Sequence, residues 1–232
     1  MGAYDPQGRE IILALARVLR HAGVTFGVLR KEKCTGDPAR RLGNDLAVSQ
    51  VAEANIETLR AAGADKMVAI CPHCVRTIGT DWREYGATFE IEHHSELLAR
   101  LGSRLPGAGP GAREKVVFHD PCYLGRYRNV YDQPRAVAAR WADPIEPRRT
   151  RERSFCCGAG GGQMFLGEEK GKRVNVERVE ELVGTGAQVI GTACPFCQTM
   201  FRDALGTVTS SLGTPPKLMD IAQMAAAALP PG

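Results

Sequence analysis

The chain has 232 residues and a formal net charge of +4, with 44% hydrophobic and 24% charged residues. This composition is typical of a globular protein that builds its own hydrophobic core without disulfides. The mild charge, with arginines scattered along the chain, argues against nucleic-acid binding, and no run of about 18 apolar residues predicts a membrane span.

The first half of the chain predicts alternating helices and strands. Apolar residues at helical spacing predict a helix over residues 9–21, followed by a strand over residues 24–29. A second helix over residues 51–62 precedes a short apolar strand over residues 67–70. The Gly- and Pro-rich segment that follows, from Gly102 to Arg113, is interpreted as a linker.

The second half continues the alternation. We predict a strand over residues 116–118, helices over 134–141 and 170–183, and a strand over 188–193. Strands that alternate with helices imply parallel βαβ pairing. The expected fold is therefore α/β, with two pseudo-symmetric repeats that are each a small, mostly parallel sheet flanked by helices. The expected boundaries are residues 1–101 for the first unit, 102–114 for the linker and 115–232 for the second unit.

Matching sequences support the two repeats. Gly63-Ala64 precedes the motif Cys71-Pro72-His73-Cys74, and Gly186-Ala187 precedes Cys194-Pro195-Phe196-Cys197 at the same spacing. Both halves also close on similar segments, IEHHSELLARL and KLMDIAQMAAA. This self-similarity indicates an internal duplication.

The eight cysteines divide unequally between the two units. The second unit contains Cys122, Cys156, Cys157, Cys194 and Cys197, and the first contains only Cys34, Cys71 and Cys74. Thr35 occupies the place of the second cysteine of the adjacent pair. Because residues 1–6 show no export signal, we expect a cytoplasmic protein with reduced thiols that are free to bind metal. Cysteines that follow parallel strands should gather at one sheet edge.

The second-unit spacing predicts a metal site. Cys194-x-x-Cys197 alone is compatible with zinc, an iron–sulfur cluster or a redox dithiol. The adjacent pair Cys156-Cys157 is unusual for a single metal ion, because neighbouring side chains diverge, but it suits neighbouring irons of one cluster. The glycine-rich residues 158–162 leave backbone N–H groups able to approach inorganic sulfide.

These motifs resemble those of the cysteine-rich CCG domain. The segments HDPCYLGR (119–126), FCCGAGGG (155–162) and ACPFC (193–197) are similar to that family's motifs. The family includes the catalytic subunit of heterodisulfide reductase and iron–sulfur subunits of lactate-, glycolate- and glycerol-3-phosphate-oxidising systems. The resemblance implies a noncubane [4Fe–4S] cluster, electron transfer and, in the best-known members, thiol–disulfide chemistry. The implied cluster ligands are Cys122, Cys156, Cys157, Cys194 and Cys197.

Three functions follow as hypotheses. The first is an iron–sulfur electron-transfer subunit of a heterodisulfide-reductase-like or 2-hydroxy-acid- or glycerol-phosphate-oxidising complex. The second is a catalytic subunit that reduces a disulfide at the cluster, and the third is a structural zinc protein. Without a flavin, nicotinamide, haem or ferredoxin motif, the chain should need a partner: a ferredoxin-like subunit, a flavoprotein or a membrane quinone module. Such a partner would hold the chain peripherally at the inner membrane.

The first-unit cysteines predict an incomplete second site. Cys34, Cys71 and Cys74 could hold a cluster with one open position or zinc with one histidine, or the site is empty. The candidate fourth ligands are His73, His93, His94 and His119. His93 and His94 are also expected to cap a helix. His73 and His119 are candidate accessory residues, with Arg126, which could offset cluster charge or bind an anionic substrate.

Overall fold

The computed structural model describes residues 5–30, 32–105, 107–108, 113–166, 170–208 and 214–230. Its helices are α1 (Pro6–His21), α2 (Asp37–Arg41), α3 (Asp45–Ala61), α4 (Pro72–Gly79), α5 (His94–Arg100), α6 (Cys122–Arg128), α7 (Asp132–Ala138), α8 (Gln163–Leu166), α9 (Val174–Val183), α10 (Pro195–Val208) and α11 (Ile221–Ala227). Its strands are β1 (Lys66–Ala69), β2 (Glu90–His93), β3 (Lys115–Phe118), β4 (Asp143–Ile145), β5 (Val189–Thr192) and β6 (Lys217–Asp220).

The strands form two separate parallel sheets. In the first unit β1 pairs with β2, and in the second the strand order is β4-β3-β5-β6. Val117 is in register with Ile190, which in turn is in register with Leu218. All four residues of β5 are buried, as expected for the central strand of a sheet covered on both faces. The predicted α/β class and parallel pairing are confirmed.

The predicted helices are present with shifted ends. They correspond to α1, α3, α7 and α9. Helix α7 begins two residues before Pro134, because proline is tolerated in the first turn of a helix, where its missing N–H is not needed. None of the helices in the described ranges combines the length and apolar character needed to cross a membrane.

The two units repeat the same local structure. The unit β1–α4 corresponds to β5–α10, and β2–α5 corresponds to β6–α11. His93 caps the N-terminus of α5 and Asp220 caps that of α11, each within a reciprocal capping box. The predicted capping role of His93 is confirmed.

Helices of the two units pack against each other across the unit boundary. Helix α1 packs against α11 of the second unit, and α7 packs against α5 of the first. Leu15 and Leu98 share one core with Phe118 and Ile221. Within the predicted linker, Gly102–Arg104 forms a turn of 3-10 helix and Leu105 is buried in that core. Residues 106 and 109–112 lie outside the described part of the chain, and the unit boundaries remain predictions.

The strand predicted over residues 24–29 is wrong. The segment occupies the place after α1 that β4 occupies after α7 in the second unit. Val24 and Phe26 pack against the shared core, but no strand forms. In the second unit β4 pairs only with β3. The described part of the first unit contains no counterpart of β3, so an apolar segment here has no backbone partner.

Candidate metal centre

The structure gathers the second-unit cysteines at the carboxyl edge of the four-stranded sheet. Cys122 begins α6 just after β3, and Cys194 precedes α10 just after β5. Cys197 lies in the first turn of α10, which starts at Pro195 as the sequence predicted. All eight cysteines are free thiols, and Cys157, Cys194 and Cys197 are buried.

Hydrogen-bonding contacts join these sulfurs into one connected set. Cys122 contacts Cys156, which contacts Cys157. Cys157 contacts Cys197, and Cys197 contacts Cys194. The adjacent pair therefore lies between the leading cysteine and the Cys-x-x-Cys motif, and the structure brings all five predicted residues together.

The pKa of Cys156 is lowered, and the pKa of Cys157 is raised by its hydrogen bond with Cys156. The pKa of Cys156 lies well below its ordinary value. Hydrogen bonds from Cys122 and Cys157 lower it most, and the N–H groups of Gly158 and Gly160 lower it further. The Gly158 N–H lies 3.3 Å from Cys156 Sγ. The φ angle of Gly158 is 88°, in the left-handed region that glycine adopts without strain. The glycine-rich loop thus stabilises a thiolate, the form in which cysteine binds metal.

A first-unit thiol reaches the second-unit set. Burial opposes ionisation of Cys194, yet hydrogen bonds from Cys197 and from Cys71 lower its pKa well below the ordinary value. Cys71 and Cys194 occupy equivalent positions, each two residues after a strand. The two halves therefore meet at matching cysteines.

The first-unit cysteines do not converge in the same way. Cys71 hydrogen-bonds to Cys74, but Cys34 is exposed. Thr35 Oγ1 donates a hydrogen bond to Cys74 Sγ at 3.6 Å. In the described ranges, no group of three mutually close metal-ligating atoms includes a first-unit cysteine.

Two of the four candidate histidines use one ring nitrogen for a contact away from the first-unit thiols. The Nδ1 atom of His93 lies 2.8 Å from Ser95 Oγ, and His94 Nε2 lies 2.8 Å from the buried carboxylate of Asp220. His119 lies at the second-unit site instead. His73 lies between Cys71 and Cys74, so it is the candidate nearest to these thiols along the chain.

His73 forms a buried contact between the units. Its Nδ1 lies 2.8 Å from Asp37 Oδ2, and its ring stacks on that of Tyr123 with 3.7 Å between centroids. Burial alone would raise the pKa of Asp37, but hydrogen bonds from His73 and Arg41 lower it. Asp37, Arg41 and His73 line a small pocket with Phe196. Sequence reasoning missed Asp37 and Tyr123, because neither lies in a recognisable spacing with His73.

Arg126 contacts the loop before the adjacent cysteines. Its Nε donates to the carbonyl of Glu152 at 3.1 Å, and a terminal nitrogen donates to the carbonyl of Ser154. These contacts hold the segment that leads to Cys156. The predicted roles in offsetting cluster charge or binding an anionic substrate remain predictions.

His119 lies against the buried sulfurs. A ring nitrogen and the Sγ atoms of Cys157 and Cys197 all lie within 4.8 Å of one another. Arg178 Nε donates to His119 Nδ1 at 3.3 Å, and the ring packs edge-on against Phe201. Burial and then the nearby Arg178 charge hold the pKa of His119 well below its ordinary value. The sequence singled out His119 but gave no signal for Arg178.

Comparison with known proteins agrees with this geometry. The family model of the cysteine-rich CCG domain matches the chain twice, over residues 3–79 and 116–202. The probable iron-sulfur-binding oxidoreductase FadF of Bacillus subtilis is 39% identical over 97% of this chain and 32% of its own length. The EtfAB:quinone oxidoreductase of Syntrophomonas wolfei is 37% identical over 96% of this chain and 32% of its own length.

A third relative is a component of the dihydromethanophenazine:CoB–CoM heterodisulfide reductase of Methanosarcina acetivorans. It is 32% identical over 93% of this chain and 56% of its own length. The chain thus spans about a third of the first two relatives and about half of the third. Because the domain is matched in both halves, the chain belongs to the cysteine-rich CCG family, as its motifs predicted.

Proposed function

We propose that the chain is the iron–sulfur electron-transfer part of a larger redox complex, with a noncubane [4Fe–4S] cluster in its second unit. The cluster ligands would be Cys122, Cys156, Cys157, Cys194 and Cys197. The observation that carries this proposal is the connected set of five free thiols at one sheet edge. Relatives that are named as an iron-sulfur-binding oxidoreductase and as part of a heterodisulfide reductase support the same assignment.

The surroundings of these thiols fit a cluster better than a zinc ion. Structural zinc takes four ligands in tetrahedral geometry, and five sulfurs exceed that number. The N–H of Gly158 already points at a cysteine sulfur, and the buried Nε2 of His119 has no hydrogen-bond partner among the described residues. Polar groups of this kind suit the anionic sulfur of a cluster, which would supply one-electron transfer at a potential tuned by hydrogen bonds and exposure.

The protein controls access to the site. Phe196, Met200 and Phe201 pack with the buried cysteines and exclude water from that side. Cys122 and Cys156 are less buried than the other three. We therefore place electron exchange with a partner on the side of Cys122 and Cys156.

The names of two relatives favour particular classes of partner. A relative named EtfAB:quinone oxidoreductase favours a quinone-linked complex. A probable membrane-anchored ferredoxin of Chromohalobacter salexigens, 36% identical over 98% of this chain, favours a ferredoxin-like module attached to a membrane. We propose a cytoplasmic location, peripheral to the membrane, with a ferredoxin-like, flavoprotein or quinone-reducing partner.

Reduction of a disulfide at the cluster is the second candidate function. It is favoured by the contact between Cys71 and Cys194, which brings a thiol of the other unit to the site, and by the small pocket at His73. For the first unit itself we propose an empty site, since Thr35 rather than a cysteine faces Cys74. Zinc or a second cluster there are the alternatives that metal analysis separates.

Anaerobic metal and sulfide analysis with EPR tests the proposal. We expect about four irons per chain, a matching amount of sulfide and a cluster EPR signal. Zinc without sulfide would overturn the proposal and support the structural zinc protein. About eight irons would show that the first unit is also loaded. Cys157→Ser should lose the cluster, whereas Cys34→Ser, at an exposed thiol, should retain it.

A further inference from the structure

His119 has a buried ring nitrogen that the proposed ligand set does not use. The residue directly follows β3, and its backbone N–H donates to the carbonyl of Gly191 at 2.9 Å, so the main chain fixes its position. The side chain is 1% exposed. Its Nε2 has no hydrogen-bond partner in the part of the chain that the structure describes.

Arg178 determines which ring nitrogen carries the proton. A guanidinium has only donors, so the His119 Nδ1 that receives the Arg178 Nε–H must be an acceptor. In the neutral ring the proton is then on Nε2. Arg178 cannot turn away easily, because its Nη1 donates to Glu181 Oε2 and to the carbonyl of Arg149, both at 2.9 Å.

The imidazole ring of His119 lies in a region rich in sulfur. A His119 ring nitrogen and the Sγ atoms of Cys157 and Cys197 lie within 4.8 Å of one another, and Nδ1 is already occupied by Arg178. A buried N–H without an acceptor is unfavourable, and the anionic sulfur of a bound cluster would satisfy it. The same geometry disfavours His119 as an iron ligand, since an Nε2 lone pair would require a proton on Nδ1, facing the Arg178 donor.

We propose that His119 is a positioning residue that donates a hydrogen bond from Nε2 to cluster sulfur or to the bound Cys157 and Cys197 sulfurs, with Arg178 fixing its tautomer. This inference rests on the proposed cluster. A hydrogen bond to sulfur stabilises the reduced, more negative cluster and raises its reduction potential. No ligand role is assigned to His119.

An EPR-monitored redox titration of the cluster-loaded full chain tests the donor. His119→Leu removes the N–H and should lower the reduction potential by about 59 mV, which is about a tenfold change in the reduced-to-oxidised ratio for one electron. His119→Gln places an amide N–H near the position of Nε2 and should restore most of the potential. An unchanged potential in His119→Leu would overturn the inference.

Pulsed EPR on the wild-type protein avoids any dependence on the folding of a variant. With ¹⁵N-labelled histidine we expect a weak nitrogen coupling and an exchangeable proton coupling that is lost in D₂O. A strong coupling, as from an imidazole bound to iron, would make His119 a ligand and refute the donor role. Wild-type protein without iron and sulfide would defeat the proposed function and this inference together, whereas a loaded cluster without these couplings would defeat only the inference.

Discussion

The two units place different side chains at one equivalent position. In the second unit Cys157 contacts Cys197, and in the first Thr35 donates to Cys74. A neutral hydroxyl is a much poorer ligand than a thiolate for an iron–sulfur cluster or for zinc. The same local structure thus supports a proposed metal site in one half and a hydrogen bond in the other.

The described sheet of the first unit is also smaller than the sheet of the second. The second unit has four strands and the described first unit has two, without a counterpart of β3. Because Cys122 follows β3, a unit without that strand also lacks the scaffold for the leading cysteine. The first unit nevertheless contributes Cys71 and His73 to the boundary of the second site.

The largest expected effect comes from exchanging equivalent cysteines for serine. Cys197→Ser should abolish the cluster, because it removes a buried ligand from the connected set. Cys74→Ser, at the matching first-unit position, should retain the cluster because its sulfur hydrogen-bonds to Cys71 and Thr35, both in the first unit. Iron, sulfide and EPR measurements on both variants check this, and loss of iron in Cys74→Ser would show that the first unit also ligates metal.

A smaller effect is expected where the units are joined. His94→Ala should lower the free energy of unfolding by about 3 kcal/mol, because the fully buried Asp220 carboxylate loses His94 and keeps the Ala222 N–H. Urea unfolding of the metal-free chain measures this, with His21→Ala at the exposed end of α1 as the control. A single, shifted transition would show that the units unfold together, and an unshifted midpoint would show that the contact adds nothing to their association.

Sequence motifs predicted which five cysteines the structure brings together, because each motif combines cysteines with characteristic neighbouring residues. The apolar run before Cys194 predicted β5, and the adjacent pair Cys156-Cys157 predicted a metal centre shared by several cysteines. The strand expected over residues 24–29 failed because strand formation depends on a distant partner, which apolar character does not reveal. The Asp37–His73 and Arg178–His119 contacts were missed for the same reason, since each joins residues that are far apart in sequence.

The second unit also contains a buried charge network. Burial raises the pKa of Glu181, but the backbone and side chain of Arg149 and then Arg178 lower it below its ordinary 4.5. A carboxyl group whose pKa is lowered by folding stabilises the fold above its ordinary pKa. This contribution is lost as the pH falls through the folded-state pKa. Glu181→Gln should therefore cost about 1–2 kcal/mol at pH 7 and progressively less below pH 4.5.

Unfolding curves of wild type and Glu181→Gln at several pH values measure this difference. Glu180→Gln, at the neighbouring exposed position, is the matched control and should change stability by less than about 0.5 kcal/mol at every pH. A difference between wild type and Glu181→Gln that does not shrink in acid would mean that the carboxylate charge is not the stabilising feature.

The smallest effect is expected at Thr35, the counterpart of Cys157. Thr35→Val keeps the shape of the side chain and removes the hydroxyl that donates to Cys74 Sγ at 3.6 Å. Hydrogen bonds to sulfur at this distance are weak, so we expect a loss of about 0.5 kcal/mol or less, measured by urea unfolding. The iron count, sulfide count and EPR signal should not change. A changed cluster signal in Thr35→Val would contradict the difference in metal chemistry that the equivalent side chains of the two units predict.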